Sequence, residues 1–99
     1  MSRGVARLGD YTIGVCKCHK SPIITGGRII TASTDVITNN RGTARLGDTV
    51  LANCGHTGTI CSASDKTITN NRGTARLGDN TSGCYNATII TASSDRFTL

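Results

Sequence analysis

The sequence predicts an all-β domain assembled from three copies of one short unit, and three observations predict it. The phrase Gly-Thr-Ala-Arg-Leu-Gly-Asp fills residues 42–48 and 73–79, and Gly-Val-Ala-Arg-Leu-Gly-Asp fills residues 4–10. A second phrase keeps step with the first: Ile-Ile-Thr-Ala-Ser at 29–33 and 89–93, with Ile60, Cys61, Ser62, Ala63 and Ser64 as its degenerate copy. No stretch shows a capped helical period, whereas β-branched residues come in short runs separated by Asn, Gly and Asp. A unit this short cannot bury its apolar face alone, so the 99 residues read as a single domain, residues 1–99, with repeats at about 4–41, 42–72 and 73–99.

Each element has a local reason. Ile-Ile-Thr-Ala-Ser and the following Val-Ile-Thr, Thr-Ile-Thr or Arg-Phe-Thr are expected as two short strands around a polar turn, because branched side chains favour a pleated surface. Asn39, Asn40, Arg41 and Gly42, and then Asn70, Asn71, Arg72 and Gly73, supply residues that tolerate positive φ, so a tight turn is expected before each Ala-Arg-Leu-Gly-Asp strand. Gly9, Gly47 and Gly78 within those strands are expected to allow close backbone approach between units. Residues 36–48 and 67–79 agree at twelve of thirteen positions at an offset of 31, which implies one shared local structure. Between each Gly-Asp and the next Ile lies the variable part, at 11–28, 49–59 and 80–88. A pseudo-threefold object gathers three such segments at one end of its axis.

Composition narrows the function. Tyr11, Tyr85 and Phe97 are the only aromatics, so Ile, Val and Leu must build the core, and a core this thin calls for a staple. Five cysteines and two histidines are the candidates, and an odd number of thiols cannot all pair as disulfides. Eleven Arg and Lys stand against six Asp and no Glu, a formal charge of +5. Five of the eight arginines (Arg7, Arg41, Arg45, Arg72 and Arg76) lie in the repeated phrases and are spaced by the architecture, not massed in a patch. No apolar run has the length of a membrane span, and the N-terminus has no apolar stretch of the kind a secretory signal needs. Asp10, Asp48 and Asp79 in one register, and Asp35, Asp65 and Asp95 near the turns, read as strand-end and turn carboxylates facing backbone donors or arginines. Cys18 beside His19 is no catalytic pair, since strand neighbours point to opposite faces and no orienting acid is in view, so an enzyme is not expected.

All cysteines but Cys61 lie in the variable segments: Cys16, Cys18 and His19 in the first, Cys54 and His56 in the second, Cys84 in the third. A tetrahedral ion takes four Cys or His ligands, and converging loops offer them. The expected ligands are His19, Cys54, His56 and Cys84, with Cys16 and Cys18 in reserve; Cys61, standing where the repeat has Ile, is expected as a buried apolar substitute. Such an ion supplies about 10–16 kcal/mol to folding, more than a small core leaves as net stability. A small zinc module for nucleic acid is the rival reading, favoured by the charge but lacking aromatic stacking platforms and finger-like spacing.

The three Ala-Arg-Leu-Gly-Asp phrases, each leading through a Cys/His segment to an Ile-Ile-Thr-Ala-Ser strand, resemble those of PAAR-repeat proteins, named for a Pro-Ala-Ala-Arg phrase. The corresponding stretches are Gly4, Val5, Ala6 and Arg7, then Gly42, Thr43, Ala44 and Arg45, then Gly73, Thr74, Ala75 and Arg76. The proline is absent, and the Ala-Arg pair with its following Gly-Asp carries the match over nearly the whole chain. The resemblance implies a cone-shaped all-β domain with a metal near its vertex, zinc or iron, held mostly by histidines with a cysteine. Here His19 and His56 match in kind and cysteines fill the remaining places. It further implies a membrane-piercing tip, one per trimeric β-helical spike, in a contractile phage tail baseplate or a type VI secretion system. Contact with the target envelope would be transient, and nucleic acid is not among the implied partners. The few residues outside the repeats favour a plain phage tail tip over an effector-bearing cap.

Overall fold

The computed structural model describes residues 3–98, which are all-β with no helix among them. In chain order the strands are β1 (Arg3–Gly4), β2 (Tyr11–Cys16), β3 (Ile23–Ile29), β4 (Ile37–Thr38), β5 (Arg41–Gly42) and β6 (Thr49–Ala52). They continue as β7 (Thr57–Ile60), β8 (Ile68–Thr69), β9 (Arg72–Gly73), β10 (Thr81–Gly83), β11 (Tyr85–Ile89) and β12 (Phe97–Thr98). Each variable segment doubles back on itself: β2–β3 and β6–β7 are laddered antiparallel hairpins, and β10–β11 is an open one joined by a single bridge. The hairpins join into a six-stranded sheet in the order β10-β7-β6-β3-β2-β11, which curls until its edges nearly meet. An isolated bridge, Asn80 to Thr88, spans the seam, and the Thr81 hydroxyl replaces the missing ladder there by accepting from the Ala87 N–H at 2.9 Å and donating to the Tyr85 carbonyl at 2.8 Å.

Behind the barrel lie three two-stranded ribbons, β4–β5, β8–β9 and β12–β1. The first two turn on Asn39 and Asn40 (φ 52° and 65°) and on Asn70 and Asn71 (51° and 65°), the double left-handed geometry of a tight hairpin turn. The third is closed by the two ends of the chain, with Arg3 opposite Thr98 just as Arg41 lies opposite Thr38 and Arg72 opposite Thr69.

A hydrogen-bonded ring separates ribbons from barrel. The Ala6 N–H donates to the Ala75 carbonyl, Ala75 to Ala44, and Ala44 to Ala6, at 2.9, 3.0 and 3.0 Å. All three alanines are fully buried, and three bonds closing on themselves are what a pseudo-threefold axis requires of the backbone. This ring also explains why Ala-Arg-Leu-Gly-Asp is not the strand the sequence predicts. Its backbone bonds in turn to different units, through bridges Val5 to Arg76, Arg7 to Thr43 and Arg45 to Thr74, and then turns, so no two-strand ladder is built. Ile-Ile-Thr-Ala-Ser breaks for the same reason. Its strand stops at Ile29, Ile60 or Ile89, after which the Ile30 N–H goes to Thr49 and the Ser33 N–H to Thr43.

The glycine roles also differ from expectation. Gly9, Gly47 and Gly78 are needed for positive φ (86°, 89° and 87°), and what lies over each is the arginine that precedes a different copy of the phrase: Arg41, Arg72 and Arg3. The close backbone approach falls instead at Gly4, Gly42 and Gly73, where any Cβ would collide with the carbonyl oxygen of Ser93, Ser33 or Ser64.

Each Asp of the repeated phrase is a buried clamp. Asp48 accepts from its own phrase's Arg45 through N–H (2.8 Å), Nε (3.0 Å) and Nη2 (2.9 Å), from Thr31 Oγ1 (3.0 Å), and pairs with Arg72, just ahead of the next phrase, at 3.7 Å. Asp10 repeats the pattern with Arg7, Thr91 and Arg41, and Asp79 with Arg76, Ser62 and Arg3. The carboxylates hold the guanidinium groups of Arg7, Arg45 and Arg76 above their ordinary pKa, chiefly through these hydrogen bonds. The barrel core is Ile29, Ile60, Ile89, Val50, Ala52, Ala87, Cys16 and Tyr85; Leu8, Leu46 and Leu77, expected to help build it, are exposed.

Candidate metal centre

The hairpins run away from the Arg-Asp layer, and the far ends of two of them bring four donors together: Cys16, His19, Cys54 and His56. Cys16 is the last residue of β2, fully buried, with Tyr85 as its partner across the ladder. Beneath the donors the Tyr85 ring fills the barrel, its hydroxyl bonded to Thr12 Oγ1 at 2.9 Å and donating to the Thr25 carbonyl at 3.2 Å. Gly27 leaves the space the ring occupies, since a Cβ there would come within 2.9 Å of it. Burial raises the pKa of the Tyr85 phenol. Cys54 and His56 flank Gly55, whose φ of 96° bends the β6–β7 turn so that two residues only two apart face one point.

The four donor atoms lie close enough together to share one ion. His56 Nδ1 lies 3.3 Å from His19 Nε2, 3.4 Å from Cys16 Sγ and 3.8 Å from Cys54 Sγ, and all four donor atoms lie within 4.8 Å of one another. Bonds of about 2.0–2.1 Å to nitrogen and 2.3 Å to sulfur give a tetrahedron edges of about 3.3–3.8 Å, the range of the three measured separations. The imidazole rings meet edge to face, with centroids 4.6 Å apart. The cluster can therefore hold a metal ion. The two thiols are prepared differently. Cys54 is held down to a pKa of about 6, first by its hydrogen bond with His19 and then by the His56 backbone N–H, whereas burial pushes Cys16 up.

Of the four expected ligands, the structure brings together His19, Cys54 and His56 and sets Cys84 elsewhere. The Cys84 sulfur is bonded to Cys18, with Cα atoms 5.2 Å apart, so it has no thiolate to offer and the third hairpin contributes no donor. Cys16 completes the set in its place. The strand pattern around Cys16 is inverted relative to the usual rule: Tyr11 and Ile13 face solvent while Thr12 and Cys16 are buried, because the Tyr85 ring already fills the interior beside them and leaves room on β2 for small side chains. Hydrophobicity alone therefore does not reveal the inward face. Cys61 is exposed, not buried, its thiol directed to the Asn80 carbonyl at 3.4 Å; the position it takes in the repeat is exposed in the other two units too, at Ile30 and Ile90. No protein-family model matches the chain, and no curated protein matches it.

Proposed function

We propose that this chain is a PAAR-like tip that caps a trimeric β-helical spike of a contractile injection machine, a phage tail baseplate being the favoured setting and a type VI secretion spike the other. The observation that carries the reading is the end face made by the three ribbons. One chain presents three quasi-equivalent surfaces about a single axis, with Ile37, Ile68 and Phe97 exposed in matching positions, and a depression behind them lined by Thr38, Thr69 and Thr98. A monomer with that face meets a trimer's threefold axis through three like contacts, whereas an ordinary monomeric partner would use one of the three.

The opposite end supports the same reading. The body is elongated, 38 × 27 × 22 Å, and a tip has too little volume for an apolar core, so a coordinated ion is an effective way to make it rigid. The ion is read as zinc. Two thiolates and two imidazoles in a closed tetrahedron are the donor set of structural zinc sites, and zinc brings no redox chemistry to a part whose task is mechanical. Coexpression with the cognate spike followed by native mass spectrometry tests the reading. Three spike chains to one tip is the expected complex, and a 3:3 complex or none overturns it. Replacing Ile37 and Ile68 by Asp should abolish the complex while leaving the metal content at one ion per chain.

A further inference from the structure

The three hairpins that the repeat makes equivalent differ on their outer faces. On β2–β3 that face is apolar: Ile13 is 50 % exposed and Ile24 81 %, with half-buried Val15 directly opposite Ile24 in the ladder. The outer faces of β6–β7 and β10–β11 carry Thr49, Thr57, Thr59, Ser82, Asn86 and Thr88, with half-buried Leu51 as their one large apolar side chain. β2–β3 is also the longest hairpin, and the loop beyond it, residues 17–22, sets Lys17 and Lys20 in solvent beside Ile23. Charge is distributed to match. The six aspartates are residues 10, 35, 48, 65, 79 and 95, so the segments 11–34, 49–64 and 80–94 that build the barrel contain no acid, while Lys17, Lys20 and Arg28 are all in the first.

We infer that the β2–β3 hairpin is a lipid-contacting finger, which seats Ile13, Val15 and Ile24 against an anionic bilayer surface while Lys17 and Lys20 meet its phosphate headgroups. Exposed branched side chains flanked by lysines, with no acid nearby, match a surface that is apolar within and negative at its boundary. A threefold partner is a poor fit, because two of the three equivalent hairpins lack the stripe. A second copy of the chain is a poor fit too, because pairing two stripes would bring Lys17, Lys20 and Arg28 of both copies together with no carboxylate in the barrel segments to answer them. The inference stands apart from the spike-cap reading: a chain that binds its spike and ignores lipid, or the reverse, separates the two.

The experiment is co-flotation of the full metal-loaded chain with vesicles of phosphatidylcholine mixed with phosphatidylglycerol, against vesicles of phosphatidylcholine alone, at low and high salt. The chain is expected to float with the mixed vesicles at low salt and to be released as salt screens the lysines. Lys17→Gln and Lys20→Gln should each weaken binding about fivefold. Ile24→Thr, at a solvent-exposed strand position where threonine is well tolerated, should weaken it by a similar factor without changing the melting temperature. Equal binding to both vesicle types, no binding to either, binding untouched by Ile24→Thr, or transfer of the chain to added duplex DNA in preference to the mixed vesicles would overturn the inference.

Discussion

Cys16 and Cys54 carry the same thiol and meet opposite surroundings. Cys54, lowered from 9.0 to about 6, is a thiolate through the neutral range; Cys16, raised by burial, keeps its proton. Metal ligands must be deprotonated, so at pH 8 the two thiols together should release one proton per ion, from Cys16. A pH indicator in weakly buffered solution reads this, and two protons would show that Cys54 is not ionised beforehand. The sign of the linkage in the metal-free protein follows from the same shift: the part of its stability due to Cys54 is full above about pH 9 and is lost as the pH falls through about 6. At the other layer, the Arg45 side chain is only 14 % exposed and forks onto a buried carboxylate. Arg45→Ala should cost about 3–5 kcal/mol in urea unfolding, because it leaves Asp48 buried with its main partner gone.

Among the elements, the ribbons show how a short strand is made secure. Two-residue strands have little ladder of their own, and the turn side chains supply the rest: Asn39 Oδ1 accepts from Arg7 and its amide donates to Asp95, while Asn70 does the same between Arg45 and Asp35. These bonds, with those from Ser33 and Ser93, lower the pKa of Asp35 and Asp95. Gly42 sits where the ribbon's backbone passes against the Ser33 carbonyl. Gly42→Ala should therefore destabilise by about 1–3 kcal/mol, measured as a shift in the denaturation midpoint, although its side chain would be only a methyl group. The repeat made Asn-Asn-Arg-Gly recognisable as a turn from the sequence. It could not show that the following phrase would alternate partners between units, since alternation is a property of three chains of backbone meeting at an axis.

For the molecule as a whole, the far end of the barrel has a disulfide and a cluster able to hold an ion. The Cys18–Cys84 disulfide closes a loop of 66 residues, and constraining the unfolded chain to that extent is worth about 4 kcal/mol. An ion held by Cys16, His19, Cys54 and His56 would contribute more, about 10–16 kcal/mol. A strong chelator should therefore lower the melting temperature further than a reductant does, and the two together should leave the chain unfolded at room temperature. Circular dichroism on the four samples checks the order; a reductant effect larger than the chelator effect would show that the disulfide is the main brace.

Repetition and residue chemistry were enough to establish an all-β chain of three units, tight Asn turns, carboxylates facing arginines, and a Cys/His cluster that includes His19, Cys54 and His56. Most of those features are local or are written three times over, and the cluster follows from the repeat, which places its separate segments at one end of a common axis. Which cysteine joins the cluster and which pairs with another depended on where β2 ends and how its side chains alternate inside a barrel that Tyr85 already fills. The closure of the third ribbon by the chain ends, the alanine ring, and the outward placement of Leu8, Leu46, Leu77 and Cys61 belong to the same class. Each depends on distances between units that only folding about a common axis sets.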